Sequence, residues 1–92
     1  MQDAQLLVLA SLSDGAKHGY AIQADVLDFA GVRLGPGTLY GAIARLERRG
    51  DIVATDAKHT RRKPYRLTST GRATLSEQLA VVGRIAARVA PR

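Results

Sequence analysis

Residues 35–50 specify one helix from start to stop, and the contrast between its two sides narrows the fold more than any other stretch. Gly35-Pro36 reads as a helix start, because Pro is favoured at the first helical position and Gly is acceptable just before it. With Pro36 first, Leu34 and Leu39 become the pair that can staple the helix entry. Leu39, Ala42, Ile43 and Leu46 then share one apolar stripe, and Gly50 follows Arg48-Arg49 in the manner of a C-cap with cations at the negative end of the dipole. At about 100° per residue, Gly37, Gly41, Ala44 and Arg48 fall on the opposite side. A helix over 36–49 is predicted, with one face made for a core and the other nearly bare. Glycine inside a helix costs about 1 kcal/mol relative to alanine. Gly41 therefore reads as a residue kept for the close approach of another body, against the plainer alternative of a glycine tolerated by chance.

The flanking segments supply the rest of a small domain. Asp3 to Leu12 places Leu6, Leu9, Ala10 and Leu12 at helical spacings, with Asp14-Gly15 as a stop. From His18 to Phe29 the apolar residues Ile22, Val26 and Phe29 recur at i, i+4, i+7, and Gly31 ends the run. Ala16, Lys17 and His18 offer no preferred N-cap at its start. Ile52–Thr55 and Tyr65–Thr68 read as a β-hairpin around a cationic connection at 57–63, with Pro64 at a strand entrance or on an unpaired edge. After Thr68 the spacing becomes helical again, through Leu75, Leu79, Val82, Ala86 and Val89. That stripe fits either a seam with a second helix or the underside of one amphipathic helix lying on its own domain.

Composition excludes several alternatives. With 92 residues, no cysteine, 46% hydrophobic and 24% charged residues, the chain is read as one domain that must hold together by its core alone. The longest apolar run, Leu6 to Ala10, is far short of the roughly 20 residues of a membrane span. A cytoplasmic protein without a secretory leader is expected. The net charge of +6 is unevenly placed. Up to residue 32, Lys17 stands against Asp3, Asp14, Asp25 and Asp28. Residues 33–66 hold nine cations against Glu47, Asp51 and Asp56. Such a concentrated positive footprint favours a polyanionic partner.

Chemistry of a catalytic kind has no visible machinery. His18 and His59 lack partners at metal-ligand spacing, the serines lack a nucleophile-elbow setting, and no glycine-rich phosphate loop follows a strand. No enzyme activity, metal or cofactor is expected. The helix order with a hairpin before the last helix is instead that of a winged helix-turn-helix, mainly α with a small β-hairpin. In that architecture the bare face of the third helix approaches a groove floor. Thr38 and Tyr40 hydrogen-bond at its N-terminal end, while Arg45 and Arg48 reach phosphates. Lys58, Arg61, Arg62 and Lys63 make a wing for backbone or minor-groove contact, or simply a solvated loop. Tyr20 and Tyr65 fit core aromatics with surface hydroxyls as well as phosphate contacts.

Specific motifs add to this reading. Lys17-His18-Gly19-Tyr20 with Ile22, Leu34-Gly35-Pro36-Gly37-Thr38-Leu39-Tyr40, Arg45-Leu46-Glu47, Gly50, and Arg62-Lys63-Pro64-Tyr65-Arg66-Leu67-Thr68 with Gly71 together resemble the PadR family of winged-helix transcriptional regulators. The resemblance covers nearly residues 6–80. It implies a homodimeric, repressor-type regulator on a pseudo-palindromic operator, with a DNA-binding domain at 1–68 and a dimerising C-terminal helix at 69–92. The DNA-binding residues are then Lys17, Tyr20, Gly37, Thr38, Tyr40, Gly41, Arg45, Arg48, Arg61, Arg62 and Lys63, and the dimerisation residues Leu75, Leu79, Val82, Ala86 and Val89. Gly35 stands where many members carry Ser, which removes a possible cap. The single last helix resembles that of short members. Some members bind flat aromatic ligands with a Trp of the last helix, and this chain has no Trp, so a small-molecule effector is left without an implied site. The alternative of another class is a winged-helix module for protein-protein contact, docking through the apolar stripe of its last helix and lacking DNA affinity.

Overall fold

The computed structural model describes residues 3–55 and 63–91. Helix α1, Asp3–Ser11, begins on an acidic residue that suits its positive end and tightens into a 3-10 turn over Leu12–Asp14. Gly15, with φ at 149°, then turns the chain. The buried side of α1 differs from the expected stripe. Val8, Leu9 and Leu12 are fully enclosed together with the polar Gln5 and Ser11, while Leu6 and Ala10 are only partly covered. A one-sided stripe presumes a helix on the surface, whereas α1 is packed by α2, α3 and α4 at once (ranges below).

Helix α2 spans Gly19–Ala30 and ends at Gly31 in the left-handed conformation, as the sequence leads one to expect. Its start is capped by His18, whose Nδ1 accepts from the Ala21 amide at 3.3 Å, so the imidazole does the work usually left to Ser or Asp. Ile22 and Val26 are fully buried, but Phe29 is 49% exposed and not a core residue. Residues 27–33 are all exposed, because the last turn of α2 runs past the edge of the core.

Helix α3 occupies Pro36–Arg49 with Gly35 and Gly50 as its caps, the expected boundaries. Leu34 and Leu39, the staple pair, are both buried, and Ala42, Ile43 and Leu46 complete the inward stripe. Strand β1, Ile52–Ala54, pairs antiparallel with β2, Tyr65–Leu67, in the register Ile52 to Leu67. Pro64 stands just before β2, and its carbonyl accepts from the Thr55 amide at 2.8 Å. A third chain segment, unread in the sequence, flanks β2: Lys17 and Tyr65 exchange both backbone hydrogen bonds, at 3.0 and 2.8 Å. The wing is thereby tied to the lead into α2.

Helix α4 spans Ser69–Val89 and is capped by Thr68, whose hydroxyl accepts from the Gly71 amide at 3.0 Å. Its first turns pack on the domain, where Gly71 and Leu75 are buried. From Leu79 onward the helix leaves the core, giving a molecule of 54 × 26 × 21 Å. The apolar stripe therefore lies on its own domain only at its start, at Leu75, and its continuation is uncovered.

Candidate nucleic-acid interface

The outward side of α3 is as bare as its glycines imply. Apart from its chain neighbours and the backbone of its own helix, a Cβ built at Gly37 or Gly41 would meet no atom within 4 Å. Thr38, Arg45 and Arg48 are exposed along the same side, and Ala44 is half-buried. Ala4 of α1 supplies a second wall, so that Ala4, Gly37, Thr38, Gly41, Ala42 and Arg45 line an open cleft of about 270 Å³. Beyond Arg45 it continues into a basic notch formed with Gln5, Arg48 and Arg49. A shallow, small-residue floor that ends in guanidinium groups suits a rigid polyanion better than a small ligand.

Two expected contact residues occupy other positions. The ammonium of Lys17 is turned inward, donating to the Ser11 carbonyl and to Asp14 Oδ1, with Asp25 Oδ2 at 3.8 Å. Ser11 Oγ in turn donates to Asp25 Oδ2 at 2.7 Å. Lys17 therefore joins the end of α1 to α2, and its backbone holds the wing. The same contact keeps the exposed Asp14 carboxyl below its ordinary pKa. Tyr40, in turn, lays its hydroxyl over Gly19: a Cβ added there would come within 2.3 Å of that oxygen. Tyr40, though 47% exposed, thus reaches from α3 to the start of α2.

Tyr20 is 66% exposed, which excludes the core-aromatic reading for it, and lines a shallow hollow with Gln23, Ala24 and Leu27 of α2 and Arg33 of the segment after it. Tyr65 is half-buried against the core; burial raises its pKa, and the charges of Glu47 and Tyr40 push it the same way. Of the wing cations, Lys63 is exposed, whereas Lys58, Arg61 and Arg62 lie outside the described residues.

The clasp between wing and α4 was missed in the sequence. Thr68 donates through its amide to the Asp51 carbonyl at 3.0 Å, and its hydroxyl donates to the Gly50 carbonyl at 2.6 Å with that of Asp51 as a second acceptor at 3.1 Å. Gly71 packs so tightly on this link that a Cβ would stand 1.9 Å from the Asp51 oxygen. The side chain of Asp51 is buried beneath, with Thr74 Oγ1 at 2.9 Å from Oδ1. The available signal was Thr68 and Gly71 at cap spacing, readable as a helix start but silent about Asp51.

On α4, Leu75 belongs to the chain's own core, which removes it from the expected dimerisation set. Leu79, Val82 and Val89 are 51%, 45% and 73% exposed, joined by Ile85 at 57%, a residue the stripe did not include, and Ala86 is exposed between them. Among the described residues no three His, Cys, Asp or Glu side chains gather as metal ligands, and no helix is long and apolar enough to cross a membrane.

Residues 8–77 match the profile of the family described as "Transcriptional regulator PadR-like family". The chain belongs to that family. The family is one of transcriptional regulators. A 37.1 kDa protein of transposon TN4556 from Streptomyces fradiae is 46% identical over 87 residues, covering 95% of this chain and 25% of that protein, so the chain spans a quarter of its length. Among solved structures, a transcriptional regulator from Clostridium thermocellum superposes with a TM-score of 0.79 at 26% identity, covering 96% of this chain and 90% of that one. Bacillus subtilis PadR, solved in complex with operator DNA, gives 0.74 at 23% identity over 85% of this chain and 47% of that one, a likeness of fold.

Proposed function

We propose that this PadR-like chain is a sequence-specific DNA-binding repressor that acts in the cytoplasm as a homodimer on a pseudo-palindromic operator. The observation that carries the reading is the open side of α3, where Gly37 and Gly41 leave the backbone approachable and Arg45 and Arg48 lead away towards phosphates. Residues 1–68 read the duplex. Thr38 addresses base edges at the N-terminal end of α3, and Tyr20, Lys63, Arg61 and Arg62 contact the backbone. Lys17 and Tyr40 act from behind, by fixing α2 and the wing against α3. Residues 69–92 join the protomers, through Leu79, Val82, Ile85, Ala86 and Val89. Burying a Leu, Val or Ile side chain is worth about 1.5–3 kcal/mol, so several in register make an adequate seam.

Selecting bound duplexes from a random pool tests recognition and symmetry together. The expected product is an inverted repeat with half-sites about one helical turn, roughly 34–36 Å, apart. Thr38→Ala should then change the preferred base at one position of each half-site, with a discrimination loss of about 1–3 kcal/mol. A pool without enrichment contradicts sequence-specific recognition, and an enriched motif lacking a repeat contradicts the dimer.

A further inference from the structure

Asp51 is 1% exposed, yet its carboxylate is only half provided for. Oδ1 has Thr74 Oγ1 at 2.9 Å, a hydroxyl that has the Thr70 carbonyl as its other acceptor at 3.0 Å. Oδ2 is buried and accepts no hydrogen bond among the described residues, with Arg49 Nε at 3.5 Å as its ion-pair partner. A buried carboxylate is costly, and a hydrophobic side chain of similar size commonly serves the fold as well or better. The direction of its hold is informative. Asp51 engages the Nε edge of Arg49, Gln5 Oε1 takes Nη1 at 3.4 Å, and the guanidinium, on a half-exposed side chain, lines the notch with Arg45 and Arg48. Arginine recognises phosphate through its planar fork, so a guanidinium fixed at its inner edge is already oriented for an oxyanion arriving from outside.

The notch adjoins the glycine cleft, sharing Arg45 with it, and α1 provides a wall to both through Ala4 and Gln5. A duplex lying along α3 would carry its sugar-phosphate chain past this point. We infer that the notch of Gln5, Arg45, Arg48 and Arg49 receives one backbone phosphate, and that buried Asp51 is the positioning residue that presents Arg49 to it. The inference rests on the reading of α3 as the DNA-contacting helix. Thr74 belongs to α4, so the seat of Asp51 also depends on how α4 sits, which places the last helix two side chains from the phosphate.

The test is fluorescence anisotropy of the full chain with a duplex selected from the random pool, repeated over a series of KCl concentrations. The proteins are wild type, Arg49→Gln, Asp51→Asn and the double variant, each checked by circular dichroism. Arg49→Gln should weaken binding about tenfold and flatten the dependence of log K on log salt by about 0.9, the loss of one phosphate contact. Asp51→Asn keeps the shape and removes the ion pair. It should lose most of the same factor and slope although it raises the net charge, and the double variant should bind no worse than Arg49→Gln. Asp51→Asn binding as tightly as wild type or tighter, or losses that multiply in the double variant, would overturn the positioning role. An unchanged slope in Arg49→Gln would overturn the phosphate site without requiring that any Asp51 variant fold. Wild-type protein that enriches no duplex contradicts the function itself, a failure distinct from these.

Discussion

Gly71→Ala should lower the melting temperature by roughly 12–24 °C, taking about 3 kcal/mol for the lesion and about 4–8 °C per kcal/mol for a domain of this size. The added Cβ would stand 1.9 Å from the carbonyl oxygen of Asp51, a backbone atom that cannot swing aside like the end of a side chain. Relief requires α4 to lift away from the α3–β1 junction. That movement stretches the 3.0 Å hydrogen bond that the Thr68 amide donates to the Asp51 carbonyl, and draws the Thr68 hydroxyl from the Gly50 carbonyl. It also uncovers Leu75 and pulls Thr74 from the Asp51 carboxylate. Gly83, on the uncovered part of the same helix, is the internal control. Within the single chain a Cβ there meets nothing within 4 Å, so helix propensity predicts that Gly83→Ala leaves the fold intact and raises its stability by about 1 kcal/mol. Thermal melts followed by circular dichroism read both. A Gly71→Ala protein that melts within a few degrees of wild type would show that the clasp does not hold α4.

Gly41→Leu should separate folding from function, because its expected effects have opposite signs. The position is helical, exposed and empty to 4 Å, so leucine there should leave stability unchanged or raise it by up to about 1 kcal/mol. On the DNA side, the isobutyl group would fill the cleft between α1 and α3 and hold the helix off the bases. Binding to the selected duplex should fall at least about 100-fold, towards the level of a scrambled duplex, since specific complexes are commonly 10³-fold or more tighter than non-specific ones. Affinity for the scrambled duplex should stay nearly constant, because Arg45, Arg48 and the wing are untouched. Anisotropy titrations with the two duplexes, beside a melt of the same preparation, decide the matter. Undiminished binding to the selected duplex would place the recognition surface elsewhere.

Legibility in the sequence followed the range of the interaction. Helix α3 was readable to the residue because its signals are local: Pro36 at the start, Gly50 at the stop, and one stripe between them. The hairpin and the Thr68 start of α4 were readable for the same reason. Faces were less secure wherever a helix has more than one neighbour. Leu6 and Ala10 looked like core and are only partly covered, Gln5 is buried although polar and outside the stripe, and Phe29 follows its stripe past the point where the core ends. The third segment of the sheet was invisible, since Lys17 joins β2 through backbone bonds that leave no trace in side-chain pattern. Among the candidate contacts, the bare side of α3 followed from helical geometry alone. The inward turn of Lys17 did not, because it depends on Asp14 and Asp25 converging from two different elements. Asp51 gave no signal, as burial of a lone acid is decided by tertiary neighbours that pattern does not encode.

The absence of cysteine in the chain makes one measurement especially direct. A single thiol introduced by Gly37→Cys stands on the open side of α3, and one introduced by Asp28→Cys stands on the exposed surface of α2. Rates of alkylation by iodoacetamide, read by mass spectrometry with and without a saturating selected duplex, report which surface the DNA covers. Helix α3 lying in the groove requires strong protection at position 37 and none at position 28. Equal reactivity at position 37 in free and duplex-bound protein would mean that the bare side of α3 does not face DNA.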